Sequence, residues 1–279
     1  MTAEGGAQLR LGFALAAGGR TVLARRQVRY PHHVTAPLAG HDDAVLVVQS
    51  ASGGLYGGER LQQEVVLGAG AQVVLRFPSA TVVHAPRQQP AVQQAVHLQL
   101  GADASLQVLQ RPLILLPGAR LVQRLHASVA VGARLLWCEG VALHDPASPG
   151  PAPPAGRLFD NRLFDNRLTV TDAAGRPQVV DRFCLDDAML AAAVPGVTGG
   201  HRAFGAVWWI GPLREAGLGR WRAAAQAVQA AARGLSVAAS SLPHGMGAVL
   251  RVAAPDAGGL DAALGTLLAD VLAETASHA

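Results

Sequence analysis

Lysine is absent. All 23 cationic side chains of this 279-residue chain are arginine, which excludes Schiff-base chemistry, a catalytic ammonium and a Walker-type phosphate loop. Cysteine is scarce. Cys138 and Cys184 are the two in the sequence, too few for a disulfide scaffold or a four-cysteine zinc site, and a reducing, cytoplasmic location is the expectation. Aromatics are thin, with four Trp, two Tyr and six Phe, which leaves little stacking surface for single-stranded nucleic acid. Charged residues make up 15% against a hydrophobic fraction of 50%, a balance that excludes disorder as a description of the whole chain. No apolar run approaches the ~20 residues of a membrane-spanning helix. The opening Met1-Thr2-Ala3-Glu4-Gly5-Gly6 has no basic region followed by an apolar stretch, which points away from a secretory leader. The net charge is +4, with no arginine cluster longer than Arg25-Arg26. That suits a weakly acidic protein partner better than nucleic acid.

What is present is mostly strand. Val45–Val48, Glu64–Leu67, Gln72–Leu75, Ala95–Leu100 and Ser105–Leu109 are short valine-rich or alternating runs, with glycine or proline in nearly every gap. Gly70-Ala71-Gln72-Val73-Val74-Leu75 resembles Asp103-Ala104-Ser105-Leu106-Gln107-Val108 and Gly132-Ala133-Arg134-Leu135-Leu136-Trp137, at offsets of 33 and 29 residues. A small-residue turn feeding a strand, repeated at this period, predicts a stacked-hairpin, sandwich or solenoid-like β body. After residue 210 the pattern turns helical over Arg220–Gly234 and Leu260–Ala273, with a strand at Val249–Val252 between them. The expected fold is mainly β, with C-terminal helices packed on one face. One domain spans 1–279, a loop insertion with five prolines occupies 144–157, and 212–279 form its mixed helix and strand part. Behind that loop Arg157-Leu158-Phe159-Asp160-Asn161 is repeated as Arg162-Leu163-Phe164-Asp165-Asn166. The odd period either reverses which way each Phe points or requires a bulge.

The densest local feature is Ser52-Gly53-Gly54-Leu55-Tyr56-Gly57-Gly58-Glu59-Arg60. Glycine permits tight corners and close backbone approach, so Gly53, Gly54, Gly57 and Gly58 read either as a packed corner or as a fixed loop presenting Glu59 and Arg60. The ten histidines include no His-x-His or His-x-x-x-His pattern. His32 and His33 are adjacent on a strand and point to opposite faces. His84 ends the Thr81-Val82-Val83 strand, and Cys138-Glu139 follow Leu135-Leu136-Trp137. Cys138 alone reads as a buried small hydrophobe. Glu139 is a carboxylate in an apolar strand and needs a partner if buried. No nucleophile elbow is present, and Asp186-Asp187 before Ala188-Met189-Leu190 reads as a helix N-cap with a first-turn carboxylate.

The segment Gln49 to Leu61, with its two Gly-Gly pairs, resembles the urease accessory protein UreD (UreH) family. Other blocks resemble that family in order. They include Gly19 to Arg26, Leu67 to Ala71, Ala80 to His84, Arg111-Pro112-Leu113 to Arg120, Trp137 to Gly140, Gly175-Arg176-Pro177, Asp181-Arg182-Phe183 and Leu242 to Val252. The chain departs from the family pattern with Glu59 for Asp, with Pro78, Val82 and His84 in one block, with Arg111 for Asp, and with the tandem repeat. The resemblance implies a non-enzymatic maturation factor that binds apo-urease and works with UreF-like and UreG-like accessory proteins. Nickel would pass through a polar interior, with no tightly bound cofactor. Glu59, His84 and Glu139 are the candidate transient nickel ligands, and Gly53, Gly54, Gly57, Gly58 and Arg60 the motif that shapes the loop. The competing expectations are a β-solenoid carbohydrate-active enzyme, which would want paired carboxylates and aromatic platforms, and a binding module without a nickel role. No nucleic-acid or membrane partner is expected.

Overall fold

The computed structural model describes residues 6–40, 43–86, 88–144 and 162–276. The strands in chain order are β1 (Leu9–Leu15), β2 (Thr21–Val28), β3 (His32–Val34), β4 (Ala44–Ser50), β5 (Arg60–Leu67), β6 (Gln72–Phe77), β7 (Thr81–Val83), β8 (Val92–Leu100), β9 (Ser105–Gln110), β10 (Leu113–Leu115), β11 (Arg120–Val129), β12 (Arg134–Leu143), β13 (Leu163–Asp172), β14 (Pro177–Asp186), β15 (Ala203–Ile210), β16 (Ser236–Ser241) and β17 (Gly247–Ala254). Helices α1 (Asp187–Ala192), α2 (Glu215–Ala231) and α3 (Ala257–Ala276) complete the described elements with one short 3-10 turn. Two sheets face each other. The seven-stranded sheet runs β14-β13-β11-β8-β5-β1-β2, and the ten-stranded sheet runs β16-β17-β15-β12-β9-β6-β4-β3 with β10 and β7 as a branch.

The weak repeat is one coil of a solenoid. β5, β8 and β11 run parallel in the first sheet. After each, the chain turns through 68–71, 101–104 or 130–133 into β6, β9 or β12, which run parallel in the second sheet. The two strands of a unit therefore lie in different sheets, and of the arrangements left open by the repeat the solenoid-like one forms. The third turn residue is left-handed each time: Gly70 at φ 69°, Asp103 at 56° and Gly132 at 74°. The fourth is a buried alanine, Ala71, Ala104 or Ala133. Neighbouring turns are laced by Ser105 N–H to Ala71 O at 2.9 Å and Arg134 N–H to Ala104 O at 2.8 Å. A short side chain is needed there because successive turns stack at the strand spacing of ~4.8 Å.

Antiparallel pairs close both ends of the stack. β2 pairs with β1 at one end, and β14 pairs with β13 at the other. β15, β17 and β16 extend the second sheet antiparallel from β12. The outer face of that extension is apolar and carries the helices. Leu136, Cys138, Val207, Trp209 and Leu250 pack against Trp221, Ala225, Leu260, Leu264, Leu267 and Val271. Gly205 makes room for α3, since a Cβ there would stand 2.9 Å from both Leu260 and Leu264. Arg111, the departure noted in the proline block, forms an ion pair with Asp261 on α3. The helical stretches expected over 220–234 and 260–273 are α2 and α3, each starting earlier than the pattern suggested. Asp186 caps α1 through Met189 N–H at 2.8 Å. The expected insertion from residue 145 onward and the first copy of the tandem lie outside the described residues. The second copy opens β13. Among the described residues no helix is long and apolar enough to cross a membrane.

Candidate functional site

The space between the sheets holds two apolar clusters with a polar layer between them. Nearer the tight turns, Leu67, Leu100, Val129, Leu106 and Leu135 belong to one cluster. At the far end Leu61, Val92, Leu121, Phe164 and Val141 belong to another. The inward alternation of β8, β11 and β13 places Gln94, Gln123 and Asn166 between these clusters. They are partners in register across three parallel strands. Gln63 on β5 joins the layer and is buried. On the opposite sheet, Gln110 follows the inward Val108 of β9, and Glu139 follows the inward Trp137 of β12.

Glu139 is the best-connected member. Its carboxylate accepts hydrogen bonds from Trp137 Nε1 at 2.9 Å, Trp208 Nε1 at 3.2 Å and Asn166 Nδ2 at 3.1 Å. Burial pushes its carboxyl above the usual range, and the hydrogen bonds from the two tryptophans and Asn166 oppose that shift. The partner that a carboxylate in an apolar strand requires is thus three N–H donors. The adjacent Cys138 points the other way, into the helix-covered face. Burial, reinforced by the neighbouring Glu139 charge, pushes its thiol up to about 12, so it offers no thiolate to the interior.

The layer connects two cavities. One, of about 470 Å³, is lined by Glu139, Asn166, Gln123, Phe164, Phe183 and Arg251 among others. The second, of about 530 Å³, is lined by His32, His33, Gln63, Gln94 and the loop from Ser50 to Leu55. Gln110 and Leu113 form part of both walls. Three buried polar atoms along this route have no protein partner among the described residues: Asn166 Oδ1, Gln94 Oε1 and His32 Nε2. A buried polar atom left unpaired costs about 1–3 kcal/mol, so these atoms mark where water or a polar guest belongs. Burial holds the His32 imidazole below its usual pKa range, which favours the neutral form.

The glycine segment is a wall of the second cavity. Leu55 N–H donates to Val82 O at 2.8 Å, and His84 N–H donates to Leu55 O at 2.9 Å. Gly54 sits at φ 145°, and a Cβ there would stand 2.4 Å from Val82 O. At Gly57 a Cβ would stand 2.4 Å from Pro86 Cα. Both glycines are required by contact with the 82–86 segment. Tyr56 stacks on His84 with ring centres 4.5 Å apart. The Glu59 carboxylate accepts Tyr56 N–H at 2.9 Å and so fastens its own loop. Arg60 is exposed at the start of β5. The structure therefore brings Glu59 and His84 together through Tyr56, outside the lining of either cavity, and places Glu139 in the wall of the first cavity. Among the described residues no three His, Cys, Asp or Glu side chains are grouped closely enough to hold a metal ion.

The amide row is what sequence reasoning missed. Its signal was an amide at the inward phase of an otherwise apolar alternation, as at Gln94 within Val92, Val96 and Leu98, and at Gln123 within Leu121, Leu125 and Ala127.

Fold and interior define a β-solenoid scaffold with a polar layer running between two cavities. The sequence matches the UreD urease accessory protein family over residues 5–278, and the chain belongs to that family. It is similar to the urease accessory protein UreD 1 of Methylorubrum extorquens strain PA1, at 37% identity over 93% of this chain and 85% of the relative. It is also similar to UreD 1 of Bradyrhizobium sp. strain BTAi1, at 36% over 89% and 84%, and to UreD 1 of Pseudomonas syringae pv. syringae strain B728a, at 33% over 72% and 69%. Proteins of this family are non-catalytic accessory proteins of urease maturation, the assembly of its nickel centre.

Proposed function

We propose that the chain acts in urease maturation as a nickel conduit, passing the ion between its two cavities along the polar layer while bound to apo-urease and to UreF-like and UreG-like partners in the cytoplasm. The observation that carries this reading is the in-register row Asn166–Gln123–Gln94 between the two cavities, with Glu139 touching Asn166 at one end. A conduit has to bind its cargo weakly. Neutral amide oxygens are poor ligands for a borderline ion such as Ni2+, and one carboxylate adds charge without closing a chelate. A closed site of thiolates or several imidazoles would hold the ion against transfer. In this reading Glu139 and the amide oxygens meet the cargo. Glu59 and His84 fix the loop that walls the second cavity. The family match over residues 5–278 supports treating the chain as one functional unit.

The test is nickel bound per urease active site in cells that express the urease structural and accessory genes with this chain as the sole UreD. Glu139→Gln should lower nickel filling severalfold while the accessory complex is still captured intact. Glu59→Gln should change filling far less, because Glu59 lines neither cavity. Full nickel filling with Glu139→Gln in an intact complex would sink the conduit and leave a binding module.

A further inference from the structure

We propose that His97 and His126 form a separate, open site for a borderline divalent ion, Ni2+ or Zn2+, on the outer face of the seven-stranded sheet. The two residues are partners in register on the parallel neighbours β8 and β11. Both occupy the outward phase, opposite the buried Val96, Leu98, Leu125 and Ala127. Their ring centres are 6.3 Å apart with planes at 61°. An ion ~2.1 Å from a ligating nitrogen stands roughly 3.2 Å from the ring centre, so two imidazoles on one ion at tetrahedral or right angles have centres about 4.5 to 5.3 Å apart. The observed separation is about 1 Å wider, so the two rings must turn toward each other to share the ion.

The surroundings favour a metal over an ion pair or a packing role. The carboxylate nearest in register to His97 is Glu64. It is occupied by Arg10 Nε at 2.9 Å and by Gln62 Nε2 at 3.0 Å, and no salt bridge joins it to His97 among the described residues. His126 Nε2 lies 3.3 Å from Thr171 Oγ1. With Nε2–H donating to that hydroxyl, Nδ1 becomes the ligating nitrogen, the arrangement in which an outer partner fixes a ligand ring. Water would complete the shell, so the site is weak and exchangeable. This inference is independent of the conduit reading, since the ion would bind the outer face whether or not cargo crosses the interior.

Equilibrium dialysis of the untagged full-length protein against Ni2+, and separately Zn2+, tests it with His97→Gln and His126→Gln. Each variant should bind one ion per chain fewer than the parent, or bind it at least tenfold more weakly, and the His97→Gln variant should keep the parent's thermal midpoint because His97 is exposed. Proton NMR should show Ni2+ broadening of these two imidazoles first. Equal binding by the parent and both variants would overturn the site, as would a parent that takes up no ion the variants lack. Failure of the conduit reading would appear instead in urease nickel filling, which this dialysis does not measure.

Discussion

Along β5, β8 and β11 the inward side chains next to the tight turns are Leu67, Leu100 and Val129, while further along the same strands they are Gln63, Gln94 and Gln123, before the far cluster begins at Leu61, Val92 and Leu121. The backbone pairing is the same throughout, because the parallel register runs unbroken from one half to the other. Only the side chains change. The half by the turns is dry and close-packed around Leu106, Leu135 and Trp137. The other holds unpaired amide oxygens and cavity space. Burial in the first half supplies the free energy that lets the second keep polar atoms unsatisfied, and the comparison predicts that the two halves respond oppositely to substitution.

The largest expected effect is in the dry half. Leu106 is fully buried in the central coil, and Leu106→Ala should cost about 2–5 kcal/mol from lost transfer energy and the cavity left behind. Its denaturant midpoint should fall, with nickel filling per folded molecule unchanged. A loss under about 1 kcal/mol would mean that the turn half is not what holds the coils together. Next is the turn itself. Gly132→Ala meets a left-handed φ of 74° and a Cβ position 2.0 Å from Asp103 Oδ1 of the neighbouring turn. The left-handed conformation alone costs roughly 1–2 kcal/mol for a residue with a Cβ, and the Asp103 side chain must also swing away. A thermal midpoint equal to the parent's would show that the turns relax independently, against the laced stack.

The dry half was legible in the sequence because its signals are local. Gly70, Asp103 and Gly132 precede alanine and then an apolar strand at nearly constant spacing, and that spacing is the length of one coil. Glu139 was also legible, since a carboxylate beside Trp137 in an apolar strand demands a partner. What could not be read was which groups supply it. Trp208 lies 69 positions away and Asn166 lies 27 away, so only the folded register brings them together. The amide row was hidden for the same reason. Each glutamine looks like an ordinary polar interruption until three strands align them. Glu59 and His84 show the converse, because a place beside a conspicuous glycine loop and a place at the end of a strand made them candidates, while the geometry uses them to fasten that loop.

A third, smaller effect separates the two faces of β13. Asp165 faces outward and is held by Arg124 at 2.8 Å and Arg182 at 3.0 Å. Burial alone would raise its carboxyl, but the hydrogen bonds and charges of the two arginines overcome this and hold it below the ordinary range. A depressed folded value means stabilisation that is present above the unfolded value near 3.8 and lost as pH falls through the folded one. The arginine side chains are 44% and 62% exposed, so screening leaves about 1 kcal/mol for the pair of contacts. Asp165→Asn should therefore lower stability by about that amount from neutral pH down to about 5, and the gap from the parent should close below about pH 4. A gap that widened in acid would reverse the assigned sign.

The smallest stability effect should come from Gln123→Leu, and it draws the sharpest line between the halves. Gln123 is buried between Gln94 and Asn166 and lines the first cavity. Leucine is of similar size and extends the apolar rows formed by Leu121 and Leu125 on the same strand. The Gln123 side chain has no hydrogen-bonded protein partner among the described residues, so an apolar group of like shape leaves no other polar group stranded, and stability should stay within about 1 kcal/mol of the parent or rise. The same change interrupts the amide row at its middle strand. Nickel filling of urease should then fall severalfold in a protein that is no less stable, the reverse of the Leu106→Ala outcome. If Gln123→Leu instead destabilises the chain strongly and spares nickel filling, the amide layer serves the fold, and the division of labour between the two ends of the coils fails.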